Sequence, residues 1–98
     1  MPTFVLLTKL CSDVMKKPSR REAIGKAWMK AVKAKCPDVK WIDHYALLGP
    51  YDFLDIYEAA DEETAAKVSL ITMSKGAVKA ESWTAIPYQR FLEITKGL

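Results

Sequence analysis

Two runs of aromatic and aliphatic residues, VKWIDHYALL (39–48) and DFLDIYEA (52–59), are separated only by Gly49, Pro50 and Tyr51. So short a break makes the chain double back, which predicts an antiparallel hairpin. Gly49 is free to take a positive φ, Pro50 fixes the next φ, and the Asp52 carboxylate can accept backbone N–H bonds within the turn. The hairpin sits mid-chain, so its flanks decide the fold.

Upstream, TFVLLTKL (3–10) is β-branched, aromatic and aliphatic, and reads as a buried strand. Cys11–Lys17 reads as a polar connection. Ser19-Arg20-Arg21-Glu22 then fits a capping box, in which the hydroxyl and the carboxylate satisfy free amides reciprocally. A helix is expected from about 20 to 35, with Ile24, Ala27, Trp28, Ala31 and Val32 on one stripe. Pro37 ends it near Cys36. Downstream, Asp61 is placed as an N-cap, with Glu62 and Glu63 at the positive end of the helix dipole. That helix runs to about Lys75, where Gly76 supplies a left-handed cap. AVKAESWTAI (77–86) gives a fourth strand. Pro87 opens a terminal helix with Tyr88, Phe91, Leu92 and Ile94 available for docking.

The order is β-α-β-β-α-β plus a short C-terminal helix. Right-handed crossovers around a central hairpin point to an α+β, ferredoxin-like sandwich, two helices over a four-stranded antiparallel sheet. Residues 1–98 read as one domain. A sheet with one wet face should alternate apolar and polar. These strands do not: Phe4 and Leu6 stand opposite Val5 and Leu7, and Phe53 and Tyr57 opposite Leu54 and Ile56. In the second strand strict alternation puts Trp41, Tyr45 and Leu47 against Ile42, Ala46 and Leu48. One helical layer covers one face, so the other needs a second chain or a pocket. A homodimer through the sheet face is expected.

The stretches MPTFVLLTKL, ALLGPYDFLDIYEAADEETAAK and VKAESWTAI resemble the GYD domain family, named for a Gly-Tyr-Asp signature in this hairpin. Here the signature is Gly49, Tyr51 and Asp52, with Pro50 standing inside it. The resemblance implies the dimeric α+β barrel type of ferredoxin-like fold and no established activity. Related barrels include cofactor-free oxygenases, isomerases and ligand-sensing domains, which hold small molecules between sheet and helices. That chemistry is analogy by fold.

Charge excludes several classes. The chain carries 15 Lys and Arg against 12 Asp and Glu, a net +3, and its longest basic cluster is Lys16-Lys17 with Arg20-Arg21. Asp52, Asp55 and Glu58 on or beside the third strand oppose an RNA-binding reading of the same topology, so no nucleic-acid partner is expected. Two cysteines, Cys11 and Cys36, and one histidine give no metal-ligand pattern; free thiols are expected, and no metal or cofactor. The N-terminal run lacks a basic lead and is broken by Thr8 and Lys9, so neither a signal peptide nor a membrane span is expected, and a cytoplasmic location follows.

His44 and Asp52 are the acid–base candidates, with Tyr51 as a polar contact. Trp41, Tyr45, Tyr57 and Trp83 could line a pocket for a flat organic ligand. Each also has a structural reading: a tied turn for Tyr51 and Asp52, a satisfied strand histidine for His44, core or interface for the aromatics. The expected function is binding of a small organic ligand between sheet and helices, as in a cofactor-independent oxygenase or isomerase. The alternative is a non-enzymatic dimerisation, interaction or ligand-sensing module.

Overall fold

The structure, a computed structural model, describes residues 1–15 and 18–98; the Lys16-Lys17 part of the basic cluster lies outside the described residues. The elements run β1 (Thr3–Leu10), α1 (Ser12–Met15), a 3-10 turn (Pro18–Arg20), α2 (Arg21–Lys35), β2 (Lys40–Ala46), β3 (Phe53–Glu58), α3 (Glu62–Ser74), β4 (Ala77–Ala85) and α4 (Tyr88–Lys96). The sheet order is β2-β3-β1-β4 with every neighbour antiparallel. This is the expected ferredoxin-like α+β arrangement with a C-terminal helix.

Local chemistry sets most boundaries. The Asp61 carboxylate accepts from the Thr64 amide at 2.8 Å and caps α3. Gly76 has φ 106°, which ends α3 and turns the chain into β4. The Cys36 amide donates to the Val32 carbonyl at 2.7 Å, closing α2 before Pro37. The start of α2 departs from expectation. Arg20, at the N-cap position, is helical (φ −90°, ψ −11°), and its side chain makes no capping hydrogen bond. The 3-10 turn runs straight into α2, so the extended cap geometry that a Ser19 capping box needs never forms. Glu22 instead pairs with Lys26 at 3.3 Å. The residues read as a polar connection also contain the short helix α1.

The core lies between the sheet and the two long helices. Phe4, Leu6 and Tyr57 from the sheet meet Val68 and Ala65 of α3, with Cys36 at the end of α2. Tyr57 is fully buried, and its hydroxyl shares a hydrogen bond with Ser82 Oγ at 2.7 Å. That partner satisfies the polar atom the ring carries inside.

The second strand corrects the strict alternation. A bulge between Trp41 and Asp43 shifts the register, so Trp41 faces Tyr57, and His44 faces Asp55. One extra residue flips the alternation, as a β-bulge must. Trp41, His44 and Ala46 therefore share the helix-covered face, while Asp43 and Tyr45 join the open face. Gly49 also differs from expectation: it does not adopt positive φ, and a Cβ there would meet nothing within 4 Å.

The face away from the helices carries Val5, Leu7, Leu54 and Ile56, flanked by Tyr45 and Trp83. Tyr45 and Trp83 are each 52% exposed. Both sheet faces are thus apolar, and one lacks a helical cover. The terminal helix α4 forms where Pro87 predicts it, yet buries none of its residues, with Tyr88 72% exposed. The Cα radius of gyration is 14.7 Å, against about 13 Å for a compact chain of this length.

Candidate functional site

The hairpin loop Leu47–Asp52 hangs over the end of β1 and is fastened there. Asp52 N–H donates to the Thr8 carbonyl at 2.8 Å, and Asp52 Oδ2 accepts from the Leu10 amide at 2.8 Å. The loop is closed by Leu47 N–H donating to the Asp52 carbonyl at 2.8 Å. Tyr51 reaches across to β4, where its hydroxyl donates to Glu81 Oε2. Glu81 also accepts from Trp83 Nε1 at 3.2 Å. These bonds stabilise the charged carboxylate, so Glu81 titrates below the ordinary range. The bond to Glu81 pushes the Tyr51 phenol up. Tyr51 and Trp83 therefore meet at one carboxylate on the open sheet face.

The opposite face holds a cavity of about 570 Å³, between the sheet and the ends of α2 and α3. His44 and Asp55 form its polar floor. They are register partners on β2 and β3, and Nδ1 lies 2.5 Å from Asp55 Oδ1. The Asp55 side chain is 3% exposed and that of His44 57%. Burial pushes the Asp55 carboxyl up, and the adjacent imidazole opposes that shift. An ionised Asp55 fixes the proton on Nδ1 and leaves Nε2 as the nitrogen available to another molecule.

Aromatic side chains build the walls. His44 stacks against Phe53 at 5.3 Å and against Trp28 at 6.5 Å between ring centroids. Trp28 meets Trp41 edge-on at 5.2 Å, and Trp41 meets the buried Tyr57 at 5.1 Å. Trp28 is pinned: its Nε1 donates to Thr72 Oγ1 at 2.8 Å, and that hydroxyl donates to the Val68 carbonyl at 2.7 Å.

The structure thus divides the sequence candidates. His44 lines the cavity, while Trp41 and Tyr57 stand behind it in the core. Tyr45, Tyr51 and Trp83 belong to the open face. Asp52 stays in the loop, bonded to β1, and does not line the cavity. Sequence reasoning missed Asp55, Trp28 and Thr72 as cavity residues. Only the bulged register places Asp55 opposite His44, and no local pattern announces it. Among the described residues no cluster of three or more His, Cys, Asp and Glu could hold a metal ion. Both cysteines are free thiols, and burial pushes the Cys36 thiol up. Among the described residues no helix is long and apolar enough to cross a membrane.

The sequence profile of the GYD domain matches residues 4–95. The chain belongs to the GYD domain family. A relative in Thermus thermophilus, named glutamine synthetase and cystathionine beta-lyase binding protein, is 35% identical over 91 residues. The match spans 89% of this chain and 90% of the relative. The GYD chain also superposes on the crystal structure of TTHA0845 from Thermus thermophilus, with a TM-score of 0.59 at 24% identity. That match covers 89% of this chain and 95% of the other, and it shows the shared fold.

Proposed function

We propose that this GYD-domain chain is a non-enzymatic protein-interaction module. The observation that carries the reading is the apolar sheet face that the helices leave uncovered. A second copy of the chain covers that face, burying Val5, Leu54, Ile56 and Trp83 from each side. Aromatic and aliphatic residues of this kind form the centres of obligate interfaces.

The dimer then presents two copies of α4. This helix is amphipathic and has no buried residue on its own chain, with Phe91 47% exposed. Laying such a helix into a groove is a recurring mode of partner recognition. The name of the Thermus relative supports an enzyme of amino-acid metabolism as partner, and we assign glutamine synthetase or cystathionine β-lyase to this chain as well. Titrating the purified chain with each enzyme in a calorimeter tests this. Saturable binding that Phe91→Glu abolishes is expected; no heat with either enzyme contradicts the assignment.

A second reading rests on the cavity. Its size falls in the range of small-molecule sites, and it joins aromatic walls to a single polar floor. On this reading a small organic ligand binds between sheet and helices, and His44 exchanges a proton or hydrogen bond with it. An oxygenase or isomerase step would use His44, with Asp52 acting only through the wall it positions. Loss of a ligand's binding on His44→Ala is expected, and unchanged binding would remove the role.

A further inference from the structure

His44 is the one histidine of the chain, and most of its ring is already engaged. The imidazole itself fills the space between Phe53 and Trp28, with centroids 5.3 Å and 6.5 Å away. Nδ1 donates to Asp55 Oδ1 at 2.5 Å. The edge that carries Nε2 is what remains for the cavity, and the His44 side chain is 57% exposed there while Asp55 is sealed behind it. A guest therefore meets the edge of the imidazole, with Leu10, Ile24, Met29 and Ala77 as its surroundings. Such apolar walls suit an uncharged molecule, since no water is at hand to solvate a charge.

An imidazole held in this way is a base. The Asp55 carboxylate keeps the proton on Nδ1, so the Nε2 lone pair is free to accept one. The imidazolium that results finds its counter-charge already in place, and the β2–β3 register holds both partners without movement. Other polar groups of the cavity are committed elsewhere. The Thr72 hydroxyl accepts from Trp28 and donates to the Val68 carbonyl, and Glu22 pairs with Lys26 at 3.3 Å. Histidine is also the side chain whose ordinary titration lies near neutrality, which suits it to take a proton and give it back.

We propose that His44 and Asp55 form a general-base dyad that moves a proton within a small, uncharged, enolisable ketone, a step that rests on the small-molecule reading above. Nε2 takes the proton from a carbon beside the carbonyl. The C–H electron pair moves into the carbonyl, giving an enolate whose charge is balanced by the new imidazolium. The imidazolium then returns the same proton, to that carbon or to the far end of a conjugated enolate. The ketone leaves with its atoms and oxidation level unchanged. Asp55 is a positioning residue, because it acts only through His44.

The probe is cyclohex-3-enone, whose proton shift gives the conjugated cyclohex-2-enone and a rise in ultraviolet absorbance. The untagged chain is expected to convert it about a hundredfold faster than free imidazole at the same concentration, the effect of one positioned base. His44→Gln should abolish the excess rate. Asp55→Asn should lower kcat about tenfold or more with KM unchanged, and circular dichroism checks that each variant is folded. Nitrogen NMR of the single imidazole at about pH 8, where histidine is ordinarily neutral, should find the proton on Nδ1. A proton on Nε2, an Asp55→Asn effect on KM alone, or a rate no greater than that of free imidazole would overturn the dyad. If the ketone still shifts the Ile24 and Met29 methyl resonances, the cavity reading stands without the dyad; neither conversion nor shifts would overturn both.

Discussion

His44 and Asp55 face each other across β2 and β3, with Nδ1 2.5 Å from Oδ1. One partner is almost wholly buried and the other lines an open cavity. The pairing depends on the bulge at Ile42, which brings His44 onto the helix-covered face.

This relationship gives stability a pH signature. Burial lifts the Asp55 carboxyl above its ordinary value of 3.8, and His44 only partly offsets the lift. Between the unfolded and the raised folded value, the folded chain holds a proton that the unfolded chain has released. Stability from this group is therefore fully present below the unfolded value and is lost as pH rises through the folded one. Urea midpoints of wild type and Asp55→Asn, measured from about pH 4 to about pH 7, should show the wild type losing ground relative to the variant as pH rises. A constant offset would contradict the assignment.

Asp52 acts as a tie. Replacing it with Ala leaves the Leu10 amide without its acceptor and should cost about 1–3 kcal/mol in urea denaturation. Asp52→Asn keeps an acceptor oxygen and should cost less. Because Leu10 lines the cavity, Asp52→Ala should also weaken ligand binding without changing its pH dependence, as expected of a positioning residue.

Two glycines should respond differently to the same change. Gly76→Ala forces a Cβ into φ 106° and should destabilise by about 1–2 kcal/mol. Gly49→Ala meets open space without positive φ and should stay within about 0.5 kcal/mol. Thermal melts of the two variants decide this.

The terminal helix should be dispensable for folding. A chain ending at Ile86 removes α4, which buries none of its residues. It should melt within a few degrees of the full chain and lose affinity for the proposed enzyme partner. A collapse in melting temperature would show α4 to be part of the core assembly.

The element order and most caps were legible because each rests on local chemistry: Pro37, Asp61, Gly76 and Pro87 act within a turn or two of themselves. The ambiguous faces were legible as well, since Val5 and Leu7 stand beside Phe4 and Leu6 without polar relief. The cavity was not. Its floor needs the bulge that swings Trp41 and His44 to one side, and its walls join Trp28 to Thr72 across 44 residues. Such pairings follow from register and helix packing, which no short window of sequence carries. The capping box at Ser19 misled because a 3-10 turn supplied the helix start instead.

The central claim is that a second copy covers the open sheet face. Sedimentation equilibrium of wild type and Ile56→Lys tests it most directly, because Ile56 lies on that face, paired with Val5 and Asp43. The account predicts that the wild type sediments as a dimer of 11.0 kDa chains and that Ile56→Lys sediments as a folded monomer. A wild-type monomer, or a dimer indifferent to the lysine, would contradict it.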